Sequence, residues 1–592
     1  MFQSFEATTR PEDGPPRLAA LRKAMANAKL DAFLVPRADA HQGEYVPARD
    51  ERLAWLTGFT GSAGFAAITC EAAGVFVDGR YTLQVKAQVA QDFTPVDWPK
   101  TKLGPWLAER LTDGMRVGFD PWLHTVKEIE ALRTALGPGI AVLPTRNLVD
   151  EIWEDQPPPP QGVAEHHSDE IAGSSSAEKR AMIAKALRDA GQSAAVLTLP
   201  DSISWLMNIR GRDLTHNPAV LAFAVLHDDG RVALFVDPAK VQGLDLKVEI
   251  APETAFPAAL AALSGPVRVD KATAPLAVSA ALEQAGVDVV WGPDPCALPK
   301  ARKTDAEIAA TRDAHLRDGA AMVEFLAWLD ATAPQGGLTE IDVVRQLEGY
   351  RRATNALRGI SFDTICGAGP NGAIVHYRVT EETNRPVTPG ELLLIDSGGQ
   401  YVDGTTDITR TVAIGPPGDS ERSAFTRVLQ GMIAISRARW PRGLAGRDLD
   451  PLARAPLWSA GQDYDHGTGH GVGVFLNVHE GPQRLSRISE VPLEPGMILS
   501  NEPGYYREGA FGIRIENLVA VTPAPKLGDN RDQLSFETLT FVPIDCALVD
   551  RSVLAPAETE WLNGYHAEVL EKIGPRVSET ARNWLERATR PI

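Results

Sequence analysis

The stretch that decides the fold of the C-terminal half is Leu392-Leu-Leu-Ile-Asp-Ser-Gly-Gly399, followed by Asp403-Gly-Thr-Thr-Asp-Ile-Thr-Arg-Thr-Val412. Four successive apolar residues before Asp396 predict a buried strand, and the glycines after it predict a turn. The second run predicts a returning strand, in which a period of two places Asp407 on one face with the neighbouring threonines. Helical patterns precede these strands, so this part of the chain is predicted to be an α+β domain.

Proline-rich segments divide the chain into domains. The run Gln156-Pro-Pro-Pro-Pro-Gln-Gly162 excludes helix and central strand, so we interpret it as a stiff linker. A second boundary falls near Pro293–Pro299, after which Thr304-Asp-Ala-Glu307 has the form of a capping box and predicts a helix to about Leu329. We predict an α/β domain over 1–155, a second α/β domain over 163–300, an α+β domain over 301–545 and a helical extension over 546–592.

The two predicted α/β domains contain similar segments in the same order. In each domain a short apolar segment, a tryptophan-containing segment and an apolar run ending in Val-Asp follow one another at comparable spacing. The paired segments are Asp31–Pro36 with Ala194–Pro200, Leu53–Gly58 with Ile203–Asn208, and Val75–Asp78 with Leu234–Asp237. Agreement at three places favours a duplicated domain over a chance likeness of generic α/β segments.

Composition and charge narrow the class of protein. A chain of 592 residues is too long for one core, and its hydrophobic fraction of 44% excludes a mainly disordered chain. The 59 basic and 77 acidic residues give a net charge of −18, which disfavours nucleic acid or an anionic membrane as a partner. No secretory signal and no run of membrane-spanning length is visible, so we expect a soluble cytoplasmic protein. Its four scattered cysteines are expected to be reduced and mostly buried.

Four acidic residues and one histidine of the α+β domain stand where a core disfavours charge. Asp396 and Glu502 directly follow apolar strands, Asp407 lies in the returning strand, and His470 lies in a glycine loop. Glu516 alternates with isoleucines, which places it on one face with Arg514. Taken singly, each residue has an ordinary structural explanation, such as a turn cap or a surface position. Taken together, buried carboxylates repel one another unless cations compensate.

The number and type of these side chains predict a two-metal site. Four carboxylates carry a charge of −4, which two divalent ions neutralise. Five ligating side chains are also too many for one catalytic metal that keeps an open position, whereas they suit two metals bridged by carboxylates. An oxygen-rich donor set with one imidazole favours Mn²⁺, with Co²⁺, Fe²⁺ or Zn²⁺ as alternatives.

Other catalytic motifs are absent. His466-Gly-Thr-Gly-His470 lacks the glutamate of HExxH, and its glycines oppose a helix. The same loop does not fit GxGxxG, and no GxxxxGK[ST] loop occurs. Thr60-Gly-Ser-Ala-Gly64 lacks the first glycine of a serine nucleophile elbow.

The motifs of the α+β domain resemble those of the Xaa-Pro aminopeptidase (aminopeptidase P) family of "pita-bread" metallopeptidases, most closely its long three-domain cytosolic form. The likeness covers nearly the whole chain, since shorter motifs of the α/β domains and the C-terminal Trp561–His566 also resemble that family. The segments that carry it are Asn371–Tyr377, Ile395–Gly398 with Asp403–Thr411, His466–Gly473 with Asn477–Pro482, Asn501–Tyr506 and Gly512–Asn517. The resemblance implies creatinase-like N-terminal α/β domains before a pita-bread catalytic domain.

The resemblance also implies a role for each site residue. It makes Asp396 a ligand of one metal, Asp407 and Glu516 the bridging ligands, and His470 and Glu502 ligands of the second metal. His376 and His479 correspond to active-site histidines of the family. On chemical grounds these two side chains can donate hydrogen bonds to the substrate and the developing oxyanion, and Glu502 can shuttle a proton. His466 corresponds to a histidine of the proline pocket and Arg514 to an arginine that orders the site. Arg80, in Asp78-Gly-Arg-Tyr81, is a further substrate-binding candidate.

The implied activity is release of an N-terminal residue from peptides with proline second, by a hydroxide held between the two metals. The resemblance further implies a homodimer. A prolidase, which cleaves only dipeptides, is the nearest alternative, and two N-terminal domains disfavour it. A metal-free creatinase-like enzyme and a non-catalytic peptide-binding module of this fold are less favoured, because all five ligand positions are intact.

Overall fold

The computed structural model describes residues 1–592 and contains two compact units. The first unit consists of Met1–Ala7, Glu170–Gly173 and Ala301–Ile592, and the second of Thr8–Asp169 and Ser174–Lys300. The predicted linker at residues 156–162 contains neither helix nor strand. Short 3-10 helices lie at Pro11–Asp13, Ala48–Asp50, Pro238–Val241, Glu253–Ala255, Ala333–Gln335, Gly369–Ala373, Cys546–Leu548 and Gly574–Arg576.

The second unit begins with a six-stranded mixed sheet. Its order is β4-β3-β2-β1-β5-β6, with β1 antiparallel to β2 and parallel to β5. Apolar residues of both sheet faces are buried, because helices cover them. The strands are β1 (Ala32–Pro36), β2 (Phe65–Thr69), β3 (Ala73–Val77), β4 (Thr94–Asp97), β5 (Arg116–Phe119) and β6 (Ala141–Pro144). The helices are α1 (Gly14–Asn27), α2 (Arg52–Thr57), α3 (Gln84–Gln88), α4 (Leu103–Ala108) and α5 (Val126–Leu136).

A second six-stranded sheet follows, with the order β12-β11-β10-β8-β13-β14. A separate pair joins β7 to β9. The strands are β7 (Glu165–His166), β8 (Ala194–Leu197), β9 (Ile209–Arg210), β10 (Phe223–His227), β11 (Val232–Phe235), β12 (Glu249–Ala251), β13 (Val267–Val269) and β14 (Val289–Trp291). The helices over this part of the chain are α6 (Asp169–Ala172), α7 (Ser176–Asp189), α8 (Pro200–Met207), α9 (Phe256–Ala261), α10 (Leu276–Gln284) and α11 (Ala297–Ala301). All but the first residue of α6, and the last residue of α11, belong to the first unit.

The two sheets repeat one topology. The strands of each sheet are counted here in chain order, without the β7–β9 pair. The first strand is antiparallel to the second, and the second is antiparallel to the third. The fourth strand joins the third in parallel. The fifth and sixth strands continue in parallel on the other side of the first. The predicted pair of similar α/β domains is therefore confirmed.

The first unit is α+β. Its helices are α12 (Asp305–Thr332), α13 (Glu340–Ala353), α14 (Asp419–Ser436), α15 (Gly446–Trp458), α16 (Pro556–Ile573) and α17 (Glu579–Ala588). Thr304 and Glu307 form the predicted capping box at the start of α12. The helix continues to Thr332, slightly beyond the predicted end near Leu329, and a 3-10 helix that contains Pro334 follows it.

The strands of this unit form several small sheets that pack into hydrophobic clusters. A three-stranded sheet has the order β16-β17-β20, and a six-stranded sheet has the order β21-β28-β27-β24-β22-β23. Helices α12 and α14 contribute to the cluster that the C-terminal helices cover, with Tyr565 and Leu585 among its buried members. The strands are β15 (Gly359–Ile360), β16 (Ile365–Ala368), β17 (Leu392–Ser397), β18 (Gly399–Tyr401), β19 (Gly404–Thr405), β20 (Ile408–Ala413), β21 (Arg439–Pro441), β22 (Gly469–Gly471), β23 (Glu480–Leu485), β24 (Ile498–Asn501), β25 (Gly504–Arg507), β26 (Phe511–Arg514), β27 (Asn517–Pro523) and β28 (Gln533–Thr538).

The cysteines differ in part from the expectation. All four are free thiols, as predicted. Only Cys296 and Cys366 are buried, while Cys546 is half-buried and Cys70 is exposed. Cys70 follows the last residue of β2, where the chain turns into β3, so it lies at a sheet end rather than in the core.

Candidate metal centre

The centre is built at the end of β17. Asp396 pairs with Thr409 of β20 on one side and with Ile365 of β16 on the other, so its backbone is held from both sides. The strand is buried throughout, as its apolar run predicts. The Asp396 carboxylate is buried as well, and Arg514 donates to its Oδ2 atom across 2.6 Å.

Asp407 does not lie inside a strand, so the prediction of one continuous returning strand is wrong. The chain forms β19, leaves the ladder at Thr406 and Asp407, and resumes as β20. Thr406 instead bonds to Gly399 through its backbone amide, and its hydroxyl accepts from the Gly399 amide, both across 2.9 Å. The departure from the ladder releases Asp407 from the alternation of period two, and its side chain is buried within the centre.

Glu516 also lies in a break, between β26 and β27. Its amide donates to the Thr409 carbonyl across 3.1 Å, and the Thr409 hydroxyl donates to its Oε2 atom across 2.8 Å. The same hydroxyl accepts from Nε of Arg514 across 3.1 Å. The predicted shared face of Arg514 and Glu516 is thus confirmed, because both side chains contact Thr409.

His470 lies in the short strand β22, not in the predicted glycine loop. The flanking glycines are needed for close approach: a Cβ atom on Gly469 would lie 1.9 Å from the Ser500 carbonyl oxygen, and one on Gly471 would lie 2.4 Å from that of Glu480. Nδ1 of His470 lies 2.9 Å from the Gly471 carbonyl, an acceptor, so Nδ1 carries the proton and Nε2 is available as a ligand.

Glu502, directly after β24, completes a group of five side chains that we call the carboxylate cage. Its members are Asp396, Asp407, His470, Glu502 and Glu516. Nε2 of His470 lies 3.4 Å from both Asp407 Oδ2 and Glu502 Oε1. The ligand atoms of Asp407, His470 and Glu516 all lie within 4.8 Å of one another. The Ser500 hydroxyl bridges the pair, donating to Glu502 Oε1 across 3.1 Å and accepting from the His470 amide across 3.0 Å.

The electrostatics of the cage indicate that it needs cations. Burial and the neighbouring carboxylates raise the pKa of Asp407 and that of Glu516 well above their usual range. Burial opposes the charge of the Arg514 guanidinium, but the surrounding anions outweigh it and raise its pKa further. Oδ1 of Asp396 is buried without a hydrogen-bond partner in the protein. One arginine cannot balance four acids, so the donor set fits two divalent ions.

Three further histidines surround or approach the cage. The ring of His479 meets that of His470 edge to face, with centroids 4.3 Å apart. Nε2 of His466 lies 2.9 Å from the hydroxyl of Tyr506. His376 is half-buried in the turn after the 3-10 helix Gly369–Ala373, and the preceding Val375 carbonyl accepts from Arg514 across 3.4 Å.

Sequence reasoning missed the residues that support this site. Tyr506 accepts from Arg514 Nη1 across 2.5 Å and so links the His466 side chain to the cage. Asp450 and Arg454 form a buried pair on α15, whose i,i+4 spacing was the available signal. Thr468 donates to Asp450 across 2.7 Å, and Arg454 donates to the His466 carbonyl across 2.7 Å.

Arg80 belongs to the other unit. Its guanidinium donates to both carboxylate oxygens of Asp78, across 2.9 Å and 2.7 Å, and lies over the ring of Tyr81. These contacts account for its position, and its role in substrate binding stays a prediction.

Models of known protein families match four consecutive parts of the chain. Two models described as the creatinase/prolidase N-terminal domain match residues 17–152 and 155–307. The model of metallopeptidase family M24 matches residues 309–523, and that of the C-terminal region of peptidase M24 matches residues 532–592. The fold and the carboxylate cage thus define the class as M24 metallopeptidases with duplicated creatinase-type N-terminal domains.

Individual relatives are similar over nearly the full length. The chain is 40% identical to aminopeptidase P2 of Arabidopsis thaliana, over 95% of this chain and 86% of the relative. It is 39% identical to the probable Xaa-Pro aminopeptidase P of Laccaria bicolor, over 97% and 93%. A crystal structure of X-prolyl aminopeptidase from Caenorhabditis elegans, described as a cytosolic enzyme with a di-nuclear active site, matches with a TM-score of 0.92 at 33% identity, covering 98% of this chain and 99% of that one.

The chain belongs to the Xaa-Pro aminopeptidase (aminopeptidase P) family. The predicted family and fold class are therefore confirmed, and the class implies a site for two divalent metal ions. None of its helices combines the length and the apolar character needed to cross a membrane.

Proposed function

We propose that this chain is a metal-dependent aminopeptidase that releases the N-terminal residue from peptides with proline in the second position. The carboxylate cage supports this proposal most directly: Asp407, His470 and Glu516 converge within 4.8 Å, and Asp396 and Glu502 adjoin them. None of the five ligand positions is substituted, and the relatives that match the full chain carry this activity in their names.

The same geometry supports the ligand roles. Asp396 would hold one ion through its unpaired Oδ1 atom, and His470 and Glu502 would hold the second ion. Asp407 and Glu516 would bridge the ions, since each is fully buried beside other carboxylates. Bound ions would supply a water molecule of lowered pKa as the nucleophile. The oxygen-rich donor set favours Mn²⁺ among the candidate ions, with Co²⁺, Fe²⁺ or Zn²⁺ as alternatives.

Side chains of the protein then guide the substrate and move its protons. His376 and His479 would donate hydrogen bonds to the carbonyl that precedes proline and to the oxyanion that develops there. Glu502 would accept a proton and pass it towards the leaving proline nitrogen. The free α-amine of the substrate would lie against the carboxylates of the cage.

Selectivity for proline calls for a pocket beside the cage. An Xaa-Pro bond has no N–H, and the proline ring fixes φ near about −65°. A site that binds peptides as an extended strand therefore loses a hydrogen bond at this position. The pocket candidates are His466, which contacts Tyr506, and His479. Arg514, which donates to Tyr506 and to Asp396, would order the carboxylates of the cage. Arg80 remains a proposed substrate-binding residue.

Three properties complete the proposal. We propose a homodimer that acts in the cytoplasm, as the description of the Caenorhabditis elegans relative as cytosolic suggests for the location. We also propose the domain limits 1–155, 163–300, 301–545 and 546–592.

One assay tests the activity and its alternatives. Metal-free protein is reloaded with single divalent ions and given a panel of Xaa-Pro-Yaa tripeptides, Xaa-Pro dipeptides, Xaa-Ala-Yaa peptides and amine-blocked peptides. We expect cleavage of the tripeptides, no cleavage of blocked peptides, and a cost of at least about 1–3 kcal/mol in transition-state binding for alanine in place of proline. Comparable kcat/KM for Xaa-Ala-Yaa would refute proline selectivity. A strong dipeptide preference would indicate a prolidase, and purified protein that binds no metal would indicate a non-catalytic module.

A further inference from the structure

The first seven residues of the chain are built into the unit that holds the carboxylate cage. This leading segment (Met1–Ala7) clusters with Ala301–Ile592, although the chain continues into the other unit at Thr8. Its exposure alternates: Gln3 and Phe5 are buried, whereas Phe2, Ser4 and Glu6 are exposed. Alternation of period two is typical of an extended chain that lies on a surface with one side anchored.

The two buried side chains are anchors of different kinds. The side-chain amide of Gln3 forms two hydrogen bonds with the backbone of Thr364. Its Oε1 accepts from the Thr364 amide across 2.8 Å, and its Nε2 donates to the Thr364 carbonyl across 3.3 Å. Phe5 belongs to the same core cluster as Ile365, Tyr377 and Val379. Gln3 therefore holds the chain before the turn that contains His376, and Phe5 shares a core cluster with residues on both sides of that turn.

The backbone of the leading segment is bound along its length. Arg378 donates to the Ser4 carbonyl across 3.0 Å and to the Glu6 carbonyl across 3.2 Å. The Phe5 carbonyl accepts from the Glu381 amide across 2.8 Å. At the other end, the Phe2 amide donates to the buried carboxylate of Glu348 across 2.9 Å.

Apart from Glu348, the hydrogen-bond partners described above lie in one stretch, residues 363–381, which we call the His376 stretch. It contains β16 and a 3-10 helix, and from Ile374 onward it has no helix or strand of its own. A segment without a ladder needs outside partners for its backbone and is otherwise mobile. The interior of the stretch is held by Glu340, which accepts from Tyr377 across 2.9 Å, and the leading segment holds its two ends.

We propose that Gln3 and Phe5 are positioning residues for His376, and that the leading segment acts as an intramolecular ligand that orders the His376 stretch. This inference rests on the proposed function only for its effect on activity. The ordering itself is a property of the fold and can be measured without substrate.

The test compares Phe5→Ala and a deletion of residues 1–7 with Phe2→Ala, which removes an exposed ring of the same type from the same segment. Hydrogen exchange of residues 363–381, bound metal per chain, and kcat and KM for an Xaa-Pro-Yaa peptide are measured in each. We expect faster exchange, unchanged metal, and a fall in kcat of about 10- to 100-fold, the scale for misplacing a catalytic group. Phe2→Ala should behave as the unmodified chain. Gln3→Ala serves as a milder variant if the deletion does not fold.

Two further measurements separate positioning from general destabilisation. An acetylated peptide of residues 1–7 added to the deletion variant should restore exchange protection and activity in a saturable way. In a His376→Ala background, Phe5→Ala should lower kcat no further, because its effect acts through that histidine. Unaltered exchange in the deletion variant, or metal loss parallel to activity loss, would overturn the inference. If the unmodified chain cleaves no Xaa-Pro peptide, the proposed function fails, and the exchange measurement still decides this inference.

Discussion

The Nη2 atom of Arg514 lies 2.6 Å from Oδ2 of Asp396, while Oδ1 of the same carboxylate is buried and has no partner in the protein. Arg514 therefore fixes the position of Oδ2, and Oδ1 has no partner in the protein. A buried carboxylate oxygen without a partner is destabilising unless a donor or a cation completes it. Arg514 thus fixes the orientation of the Asp396 carboxylate, and Oδ1 is the atom through which we propose that Asp396 binds a metal ion.

Removal of metal should abolish activity. Chelation should stop cleavage of Xaa-Pro peptides, and Mn²⁺ should restore it best. Asp407→Asn should lose both bound metal and turnover, because a neutral amide bridges two cations poorly. Elemental analysis and a turnover assay on the same preparation check this, and full activity in a rigorously metal-free sample would refute it.

The histidines should separate into ligand and catalyst. His376→Ala should keep its metal while kcat falls by about 10²–10³, the scale for one oxyanion donor. His470→Ala should instead lose metal, since its Nε2 faces Asp407 and Glu502 at 3.4 Å. If elemental analysis finds both variants equally depleted of metal, this division of roles is wrong.

Thr409 should support the ligands indirectly. Its hydroxyl donates to Glu516 and accepts from Arg514, so Thr409→Val removes both hydrogen bonds with little change in volume. We expect metal affinity to fall about 10- to 100-fold, as for other groups that orient metal ligands. Titration of apo protein with Mn²⁺ measures this. Thr426→Val, a buried threonine on α14 whose hydroxyl donates to the Arg422 carbonyl, is the matched control and should bind Mn²⁺ normally.

The buried ion pair of Asp450 and Arg454 should be important for stability. It contacts Thr468 and the carbonyl of His466. Arg454→Met leaves Asp450 buried and uncompensated, which we expect to lower the free energy of unfolding by about 3–5 kcal/mol. Arg487→Met breaks an exposed pair with Asp463 and should cost less than about 1 kcal/mol. Denaturant unfolding of both variants is the measurement. Equal effects would show that the buried pair has no special role.

Asp39 should make the stability of the α/β unit depend on pH. Burial raises the pKa of its carboxyl to about 6, although backbone amides such as that of His41 donate to it. Because the folded state holds the proton more tightly than the unfolded chain, this group stabilises at low pH and loses that contribution as pH rises through about 6.

The corresponding test is Asp39→Asn, which imitates the protonated form. Its stability relative to the unmodified chain should improve by about 1–1.5 kcal/mol between pH 5 and pH 8. Unfolding of the two proteins at both pH values measures the difference, and Asp92→Asn at an exposed position controls for the substitution itself. A difference that does not change with pH would contradict the raised pKa.

Local patterns predicted much of this molecule because they report burial along the chain. The run Leu392–Ile395 is apolar because β17 is buried on both faces, so an acid directly after it had to lie at the edge of the core. The proline-rich linker excluded regular structure by its chemistry alone. The duplicated α/β domains were visible because each copy repeats the same buried strands.

The same patterns could not predict where ladders break or which distant residues meet. Asp407 and Glu516 lie in gaps between strands, since Thr406 bonds to Gly399 and Glu516 to Thr409 instead of continuing their own ladders. Gln3 meets Thr364, which lies 361 positions away in the chain. Periodicity describes the neighbourhood of a residue within one element, whereas such contacts depend on how separate elements pack. Tertiary packing therefore decides how the candidate ligands converge and what holds the His376 stretch, because both depend on contacts between parts of the chain that share no local pattern.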